Sequence, residues 1–238
     1  MILPCIDERG NIVELIKRLL SSLRPPYDIL VVDDDSADGT GELARSEFQD
    51  NGAVRVLIRK GERGLASALG RGISETDGGI VAWMDCDLSM PPETMGELVS
   101  AVRAGRYDAA VGSRFLPGGG DRRMGSGVSV PAAQAAFSLL MSRLCRSFIY
   151  GGLSDWTSGF IAVRRTALPV GSLGAGHGEY FMRLIHSMLA SGRAITEIPY
   201  CFVPRSEGSS KTAGTAAQLA KRGICYMSVF LECARKGV

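Results

Sequence analysis

The stretch VAWMDCDLSMPPE, residues 81–93, decides how this chain is interpreted. An apolar run typical of a buried strand ends in two carboxylates, Asp85 and Asp87, and two prolines follow almost at once. Isolated carboxylates are costly to bury and are usually paired or bound to metal, so core packing does not account for this pair. Two carboxylates that converge on one point favour a hard divalent cation such as Mg2+ or Mn2+. Aspartates that cap a helix or form a turn are the alternative explanation.

The sequence around this stretch alternates short apolar strands with segments of helical periodicity. The predicted strands are MILPCI, YDILVVDD, AVRVLI, GIVAWM and YDAAVG, with helices between them near 11–23, 39–50, 64–76 and 93–104. Such a pattern predicts an α/β fold whose central sheet is mainly parallel and covered by helices on both faces. Ligands of these sheets bind at the carboxyl ends of the strands. The acids expected at that edge are Asp33, Asp34, Asp85 and Asp87.

The second half of the chain, after residue 111, differs from the first in its pattern of loops and apolar segments. A glycine-rich loop with two arginines, LPGGGDRRMGSG at 116–127, precedes a long apolar helical segment near 130–149. A loop of about a dozen residues inside a compact domain is often a functional lid, and a simple connector is the alternative. A strand-like segment, AITEIPYCFV, follows, and the chain is predicted to end in an amphipathic helix near 213–235.

The composition is that of a folded globular protein, with 45% hydrophobic and 22% charged residues. The six cysteines show no CxxC spacing, so the sequence predicts reduced, cytosolic thiols rather than a zinc site or disulfides. No stretch approaches the roughly 18 to 20 apolar residues that a transmembrane helix needs. We expect no nucleic acid partner.

The charge is unevenly distributed along the chain. The net charge is +2, but residues 1–111 contain 12 Lys and Arg against 19 Asp and Glu, whereas residues 112–238 contain 15 against 6. The first half therefore suits a cation and the second an anion. A chance distribution of solvated charges would look the same.

Seven motifs carry a specific resemblance. In order they are LPCIDERGNI, VVDDDSADGT, RGLASAL, MDCDLSMPPE, GSRF, DWTSGF and PRSEGSSK. Together they resemble glycosyltransferase family 2, in particular its polyprenyl-phosphate mannosyl- and glucosyltransferases, over residues 2 to about 212. The resemblance implies a GT-A fold, which is Rossmann-like, a nucleotide-sugar donor, Mg2+ or Mn2+, inversion at the sugar carbon and a polyprenyl phosphate acceptor. It implies a catalytic domain over 1–212, with a nucleotide-binding half at 1–111 and an acceptor-binding half at 112–212, and an amphipathic helix at 213–238.

The same resemblance implies roles for individual residues. The donor nucleotide would be held by Pro4, Glu8, Asp34 and Asp85. The metal would be bound by Asp87 and Ser89. The catalytic set would be Asp87, Arg114, Asp155, Arg205 and Lys211, with Arg114 near phosphate, Asp155 facing the sugar, and Arg205 and Lys211 closing over the diphosphate. The acceptor phosphate would be bound by Arg122, Arg123 and Ser209. Two further candidates are Asp33 and Glu179. A capping or turn aspartate is the alternative for Asp155.

Three positions depart from the family pattern. Asp7 stands where the family usually has Asn, and Asp35 where it usually has Gly, so the donor pocket is more acidic than expected. The acid expected near 179–183 is shifted, because Glu179 precedes the aligned position, which is Arg183. These departures bear on the identity of the donor base and on the role of Glu179.

We expect mannose transfer from GDP-mannose to a polyprenyl or dolichyl phosphate. A UDP-sugar donor, a hydroxyl acceptor and a nucleotide-sugar-binding protein without turnover are the alternatives. A dehydrogenase is disfavoured because no GxGxxG follows the first strand. A lipid monophosphate is mostly ionised at neutral pH, since its second pKa is about 6, so it needs positioning more than a general base.

The long helix also predicts a membrane surface as partner. An apolar stripe with arginines beside it suits a helix that lies on the cytosolic face of a membrane. The stripe is formed by Phe137, Leu140, Leu144 and Phe148, and the arginines are Arg143 and Arg146. The same stripe could instead pack on the sheet. If the chain does not bind lipid itself, a membrane-anchoring partner subunit is expected.

Overall fold

The structure is a computed structural model, and it describes residues 1–125, 130–169, 171, 173, 178–205 and 216–238. Two predicted site residues, Ser209 and Lys211, lie outside the described residues. No helix in the described parts of the chain is both long enough and apolar enough to cross a membrane.

The structure confirms the five predicted strands and the strand-like segment AITEIPYCFV, and it adds three short strands. They are β1 (Ile2–Cys5), β2 (Ile29–Asp33), β3 (Val54–Ile58), β4 (Ile80–Trp83), β5 (Ala109–Ser113), β6 (Gly120–Asp121), β7 (Ile161–Arg164), β8 (Ile195–Pro199) and β9 (Cys201–Phe202). The helices are α1 (Arg9–Ser22), α2 (Thr40–Glu47), α3 (Leu65–Ser74), α4 (Pro92–Arg103), α5 (Val130–Phe148), α6 (Tyr180–Ala190) and α7 (Ala216–Lys236). A 3-10 turn, Arg122–Gly125, precedes α5.

The central sheet has seven strands in the order β3-β2-β1-β4-β7-β5-β8. The β1-β2, β1-β4, β2-β3 and β5-β8 pairs are parallel, whereas β7 is antiparallel to both of its neighbours. The prediction of a mainly parallel sheet is confirmed. Because β1, β2 and β4 run in the same direction, the segments that follow them meet at one edge of the sheet.

Helices cover both faces of the sheet, as predicted. One core cluster joins the sheet to the buried sides of α1 and α4, including Leu15 and Leu98. The other cluster joins it to α3, α5, α6 and α7, including Leu69, Met141 and Val229. The strands buried between these layers are continuously apolar, which is why period-two alternation is absent from β2 and β5.

The C-terminal helix packs against this second layer. The Phe137 ring on α5 meets Tyr226 on α7 edge to face, with ring centroids 5.7 Å apart. Nearer the helix ends, Phe148 meets Phe230 in the same way at 6.3 Å. Aromatic edge-to-face pairs of this kind stabilise helix packing, so α5 and α7 lie side by side over the sheet.

Candidate active site

Asp87 lies at the sheet edge with both carboxylate oxygens engaged. Its Oδ1 accepts hydrogen bonds from the Ser89 amide at 3.0 Å and from the Ser89 hydroxyl at 2.5 Å. Its Oδ2 lies 3.0 Å from Nη2 of Arg205. Leu88, between the two bonded residues, has a φ of 60°, a conformation that costs a residue with a side chain about 1 kcal/mol or more. The turn is therefore held by its hydrogen bonds against the backbone preference of Leu88.

Glu8 is the second acid at this edge, and it lies in the segment that follows β1. Its Oε1 is 3.1 Å from Nη1 of Arg205, and its Oε2 accepts a hydrogen bond of 2.8 Å from the Asn11 side chain. The Glu8 amide donates to the Thr40 hydroxyl at 2.8 Å, which ties it to the start of α2. The structure thus brings three predicted residues together, because one guanidinium spans Glu8 and Asp87.

Asp85 completes the acidic cluster that the sequence predicted. Its pKa is raised to about 7, first by burial and then by the negative charge of Asp87, against the opposing positive charge of Arg205. Two carboxylates that repel each other resist ionising together, and a nearby cation favours the ionised form of both. The electrostatics of the cluster therefore favour an added positive charge.

The oxygen donors at this edge fit a hard divalent cation. Asp85 and Asp87 offer carboxylates and Ser89 a hydroxyl, the donor types that Mg2+ and Mn2+ prefer. In the described parts of the chain, no three His, Cys, Asp or Glu side chains converge on a point. A magnesium site typically uses one or two carboxylates and completes its shell with water and substrate phosphate, so the residues fit that mode of binding.

The acids at the end of β2, Asp33 and Asp34, do not share the Arg205 guanidinium and have other hydrogen-bond partners. Asp34 accepts hydrogen bonds from Arg59, at 2.8 Å from Nε, and from the Gly64 amide at 2.8 Å. The Arg59 side chain is 1% exposed and the Asp34 side chain 6%. Asp33 is fully buried and accepts from the Ser36 amide at 3.1 Å. The pair of Asp34 and Arg59 therefore fixes the loop between β3 and α3 beside the predicted donor pocket. Sequence reasoning missed Arg59, although it directly follows the strand next to β2.

Two of the three departures from the family pattern, Asp7 and Asp35, have a conformational explanation. Asp7 has a φ of 47° and Asp35 a φ of 56°. Asparagine, aspartate and glycine are the residues that adopt this left-handed region most readily. Asp7 also accepts a hydrogen bond of 3.0 Å from the Ala37 amide. Backbone geometry thus accounts for the small polar residue at Asp7 and for aspartate in place of glycine at Asp35.

Arg114 and Asp155 bind each other. The guanidinium places Nε 2.8 Å from Asp155 Oδ2 and Nη2 2.9 Å from Oδ1, and Nη2 also donates to the Thr157 hydroxyl at 2.8 Å. Burial alone would lower the pKa of Arg114, but the charges of Asp155 and Asp121 outweigh it and raise the pKa. The arginine predicted to meet phosphate and the aspartate predicted to meet sugar are thus joined in one buried pair.

The predicted acceptor arginines occupy different environments. Arg123 donates from Nε to Asp121 at 2.8 Å, and its guanidinium carbon lies 4.0 Å from the centroid of the Phe202 ring. Asp121 also lies 3.5 Å from Arg114, so it links the two arginines. Arg122 is exposed and has no ion-pair partner among the described residues. Of the two neighbours, only Arg122 has its charge directed toward solvent without a described counter-ion.

Glu197 contacts this network, and Glu179 and Pro4 have surroundings of their own. Glu197 on β8 accepts hydrogen bonds from the amides of Ser154 and Asp155, at 2.7 and 2.9 Å. Sequence reasoning missed Glu197, because nothing in the strand pattern marks it. Glu179 is buried directly before α6, beside Gly178, whose Cα faces the hydroxyl of Tyr226. Pro4 lies on β1, and its carbonyl accepts a hydrogen bond of 3.3 Å from the Cys86 thiol.

Comparison with known proteins identifies the family. The model of glycosyl transferase family 2 matches residues 1–170. The chain belongs to glycosyl transferase family 2. This glycosyltransferase is 32% identical over 217 residues to the dolichol-phosphate mannosyltransferase of Pyrococcus furiosus, a match that covers 90% of this chain and 59% of that one.

Two bacterial relatives are covered over more of their length. The family 2 chain is 33% identical to the polyprenol monophosphomannose synthase of Mycolicibacterium smegmatis, with 90% of this chain and 81% of that one covered. It is also 33% identical to the undecaprenyl-phosphate mannosyltransferase of Micrococcus luteus, with 90% and 86% covered.

Solved structures confirm the fold of this glycosyltransferase. The glucosyl-3-phosphoglycerate synthase of Mycobacterium tuberculosis, in complex with Mn2+, UDP and phosphoglyceric acid, superposes with a TM-score of 0.71 at 18% identity. That match covers 98% of this chain and 77% of the other. The same enzyme in complex with Mg2+ and UDP superposes with a TM-score of 0.66 at 20% identity. The predicted GT-A fold is confirmed.

Proposed function

We propose that this glycosyltransferase moves mannose from GDP-mannose to a polyprenyl or dolichyl phosphate, with Mg2+ or Mn2+ as cofactor. The observation that carries the proposal is the agreement among the relatives. Three of them, 32 to 33% identical over 90% of this chain, are named for mannose and a dolichol, polyprenol or undecaprenyl phosphate. The acidic cluster at the sheet edge supports it, because a protein-bound divalent cation commonly binds one or two carboxylates together with the phosphates of such a donor.

The donor would bind across the carboxyl ends of β1, β2 and β4. Asp85, Asp87 and Ser89 would hold the cation, which supplies positive charge to the departing diphosphate when bound. Glu8 and Asp34 would hold the nucleoside, with Asp34 oriented by Arg59. Arg205 supplies a guanidinium beside Asp87, and a planar guanidinium suits phosphate oxygens. This chain's contribution to the donor half is thus orientation and charge.

The acceptor would need no general base. A lipid monophosphate is mostly ionised at neutral pH and can attack the sugar carbon without losing a proton to the protein. The exposed Arg122 would bind this phosphate, with Ser209 and Lys211 as proposed additional contacts. Arg114, Asp155, Asp121 and Arg123 would act as the rigid frame that sets where Arg122 lies. Such positioning lowers the barrier because the reactants are held in line.

The exposed apolar side chains support a membrane surface as partner. Among the described residues, every exposed large hydrophobic side chain lies within 124–150 or 224–238. They are Met124, Leu140, Phe148, Tyr150, Ile224, Met227, Leu231 and Val238. The predicted stripe is divided, because Phe137 and Leu144 pack against the core whereas Leu140 and Phe148 are 53% and 67% exposed. Exposed apolar residues beside basic ones suit a helix pair that lies on anionic lipid, and we propose the cytosolic face.

Incubation with radiolabelled GDP-mannose and undecaprenyl phosphate tests this function. The expected result is label that passes into organic solvent only when protein, lipid phosphate and Mn2+ are all present. If label from GDP-mannose stays in the aqueous phase but label from UDP-glucose passes into organic solvent, UDP-glucose replaces GDP-mannose as the proposed donor. A thermal-shift comparison of the two donors separates binding from turnover, because a ligand that binds the native state raises the melting temperature.

A further inference from the structure

Arg205 forms ion pairs with two acids of the candidate site at once. Its Nη1 lies 3.1 Å from Glu8 Oε1, and its Nη2 lies 3.0 Å from Asp87 Oδ2. The side chains of Glu8 and Asp87 are 10% and 6% exposed, and that of Arg205 is 24% exposed. The arginine is therefore the more accessible member of the group, able to leave while the two carboxylates stay in place.

The contact with Asp87 uses the oxygen that a metal would need. The other oxygen, Oδ1, is held by the amide and the hydroxyl of Ser89. The hydrogen bond from the Ser89 amide belongs to a backbone turn, so a cation cannot replace this hydrogen bond without opening the turn. Within the described residues, the partner of Oδ2 is the Arg205 side chain alone, and a side chain can rotate away. A divalent cation that binds Asp87 would thus take Oδ2 and compete directly with the guanidinium.

The backbone places Arg205 beside Asp87 independently of the ion pair. The Val203 amide donates a hydrogen bond of 3.0 Å to the carbonyl of Ser89. This bond joins the segment after β9 to the turn that carries Asp87, two residues before the arginine. The fold therefore holds the backbone that carries Arg205 beside Asp87, so the guanidinium stays within reach of the cluster even when the side chain rotates.

We infer that Arg205 is a built-in counter-ion of the acidic cluster, which exchanges with the divalent cation at Asp87 and is released to the donor diphosphate. The inference rests on the proposed function, because it assigns an order of events at the same site. The guanidinium neutralises Glu8 and Asp87 before the donor arrives, when three clustered acids would otherwise repel one another. When metal and diphosphate bind together, the freed guanidinium gains phosphate oxygens in place of carboxylate oxygens.

This exchange has a consequence that a simple phosphate-binding role lacks. If Arg205 competes with the metal, its removal must strengthen metal binding in the absence of any nucleotide. If Arg205 serves only the diphosphate, its removal must leave metal binding without nucleotide unchanged. Linkage also requires that a diphosphate which attracts Arg205 raises the affinity for the metal, and that this gain shrinks when the arginine is absent.

Mn2+ binding without nucleotide tests the inference. We compare the full chain with Arg205→Gln and Arg205→Lys by electron paramagnetic resonance of free Mn2+. Arg9→Gln is the matched control, since it removes the same charge next to Glu8 while its guanidinium contacts the carbonyls of Asp38 and Gly39. We expect Arg205→Gln to bind Mn2+ about fivefold to tenfold more tightly, as loss of a partly exposed ion pair predicts, with the other two variants near wild type.

The outcomes distinguish the exchange at Asp87 from the proposed sugar transfer. Tighter binding by Arg205→Gln but not by Arg9→Gln supports the exchange. If Arg205→Gln binds Mn2+ as tightly as the wild-type chain, or more weakly, the exchange is overturned and the proposed function is left intact. Equal tightening by both variants also overturns it, because general charge would then explain the effect. Absence of Mn2+ binding in every variant overturns the inference, and retained transfer in the radiolabel assay would then show that the sugar-transfer proposal survives without that cation.

Discussion

Arg114 and Asp155, 41 residues apart in sequence, form a buried two-point ion pair whose bonds measure 2.8 and 2.9 Å. The side chains are 4% and 0% exposed. The Arg114 amide also donates to Asp155 at 3.1 Å, so one carboxylate fixes both the backbone and the side chain of the arginine. This pair joins the segment after β5 to the segment before β7, both within the half of the chain predicted to bind the acceptor.

Removal of one partner from this pair is expected to destabilise the fold strongly. Asp155→Ala leaves the Arg114 charge buried without its main counter-ion, which costs about 3 to 5 kcal/mol. Thermal and urea unfolding measure the loss. The matched control is Glu93→Ala, which breaks the exposed pair with Arg18, where the partners are 36% and 56% exposed, and which is expected to cost about 1 kcal/mol or less. Equal losses in the two variants would show that the buried pair has no special role.

The two adjacent arginines are expected to separate in function. Arg122→Ala should raise the Michaelis constant for lipid phosphate about tenfold with little change in melting temperature, because Arg122 is exposed. Arg123→Ala should mainly lower the melting temperature, because Arg123 is bound to Asp121 and lies over Phe202. Donor affinity, measured by calorimetry, should stay near the wild-type value in both variants. A wild-type Michaelis constant for lipid phosphate in Arg122→Ala would show that the loop at 116–127 is a connector and does not bind the acceptor.

Asp87→Asn is expected to abolish nearly all transfer and to weaken Mn2+-dependent donor binding. The substitution keeps the shape of the side chain but removes the charge that a metal ligand needs. Calorimetric titration of donor with and without Mn2+, together with turnover, measures both effects. Asp50→Asn, at an exposed position after α2, is the control that removes the same charge elsewhere. Wild-type values for Asp87→Asn would remove the metal from the proposal.

The exposed apolar faces of α5 and α7 are expected to bind anionic vesicles. Flotation with phosphatidylglycerol vesicles at low salt should carry the chain, and binding should weaken as salt rises because the basic residues act on headgroups. A double substitution, Leu140→Ser with Ile224→Ser, should reduce flotation with little loss of stability, since these side chains are 53% and 70% exposed. A chain that ignores anionic and neutral vesicles alike would need an anchoring partner.

The acidic edge of the sheet was predictable from the sequence, because a simple rule connects an apolar run with the position of the acids that follow it. Apolar runs without polar interruption predict parallel strands, and the acids that follow such strands meet at one edge. Asp33, Asp34, Asp85 and Asp87 were assigned to one edge on this basis, whereas Glu8 was assigned from the family resemblance. The structure brings Glu8 and Asp87 to the same guanidinium. Local pattern was sufficient here because each acid lies within a few residues of the strand that places it.

Pairings across long sequence distances could not be predicted in the same way. The antiparallel strand β7 lies between β4 and β5, although it follows both in sequence, and a four-residue apolar run gives no indication of that position. Its insertion brings Asp155 to Arg114, so a residue expected at the sugar meets an arginine expected at phosphate. Arg59 and Glu197 were missed for the same reason, since each binds a residue at least 25 positions away.

The central claim is mannosyl transfer to a lipid phosphate, and a comparison of two acceptors tests it most directly. The chain is incubated with GDP-mannose labelled in the sugar, Mn2+, and either undecaprenyl phosphate or undecaprenol, which differ only in the phosphate. The account predicts labelled lipid from the phosphate alone, with label released by mild acid as a sugar phosphate ester requires. Equal labelling of the alcohol, or label in neither lipid while the donor binds, would contradict it.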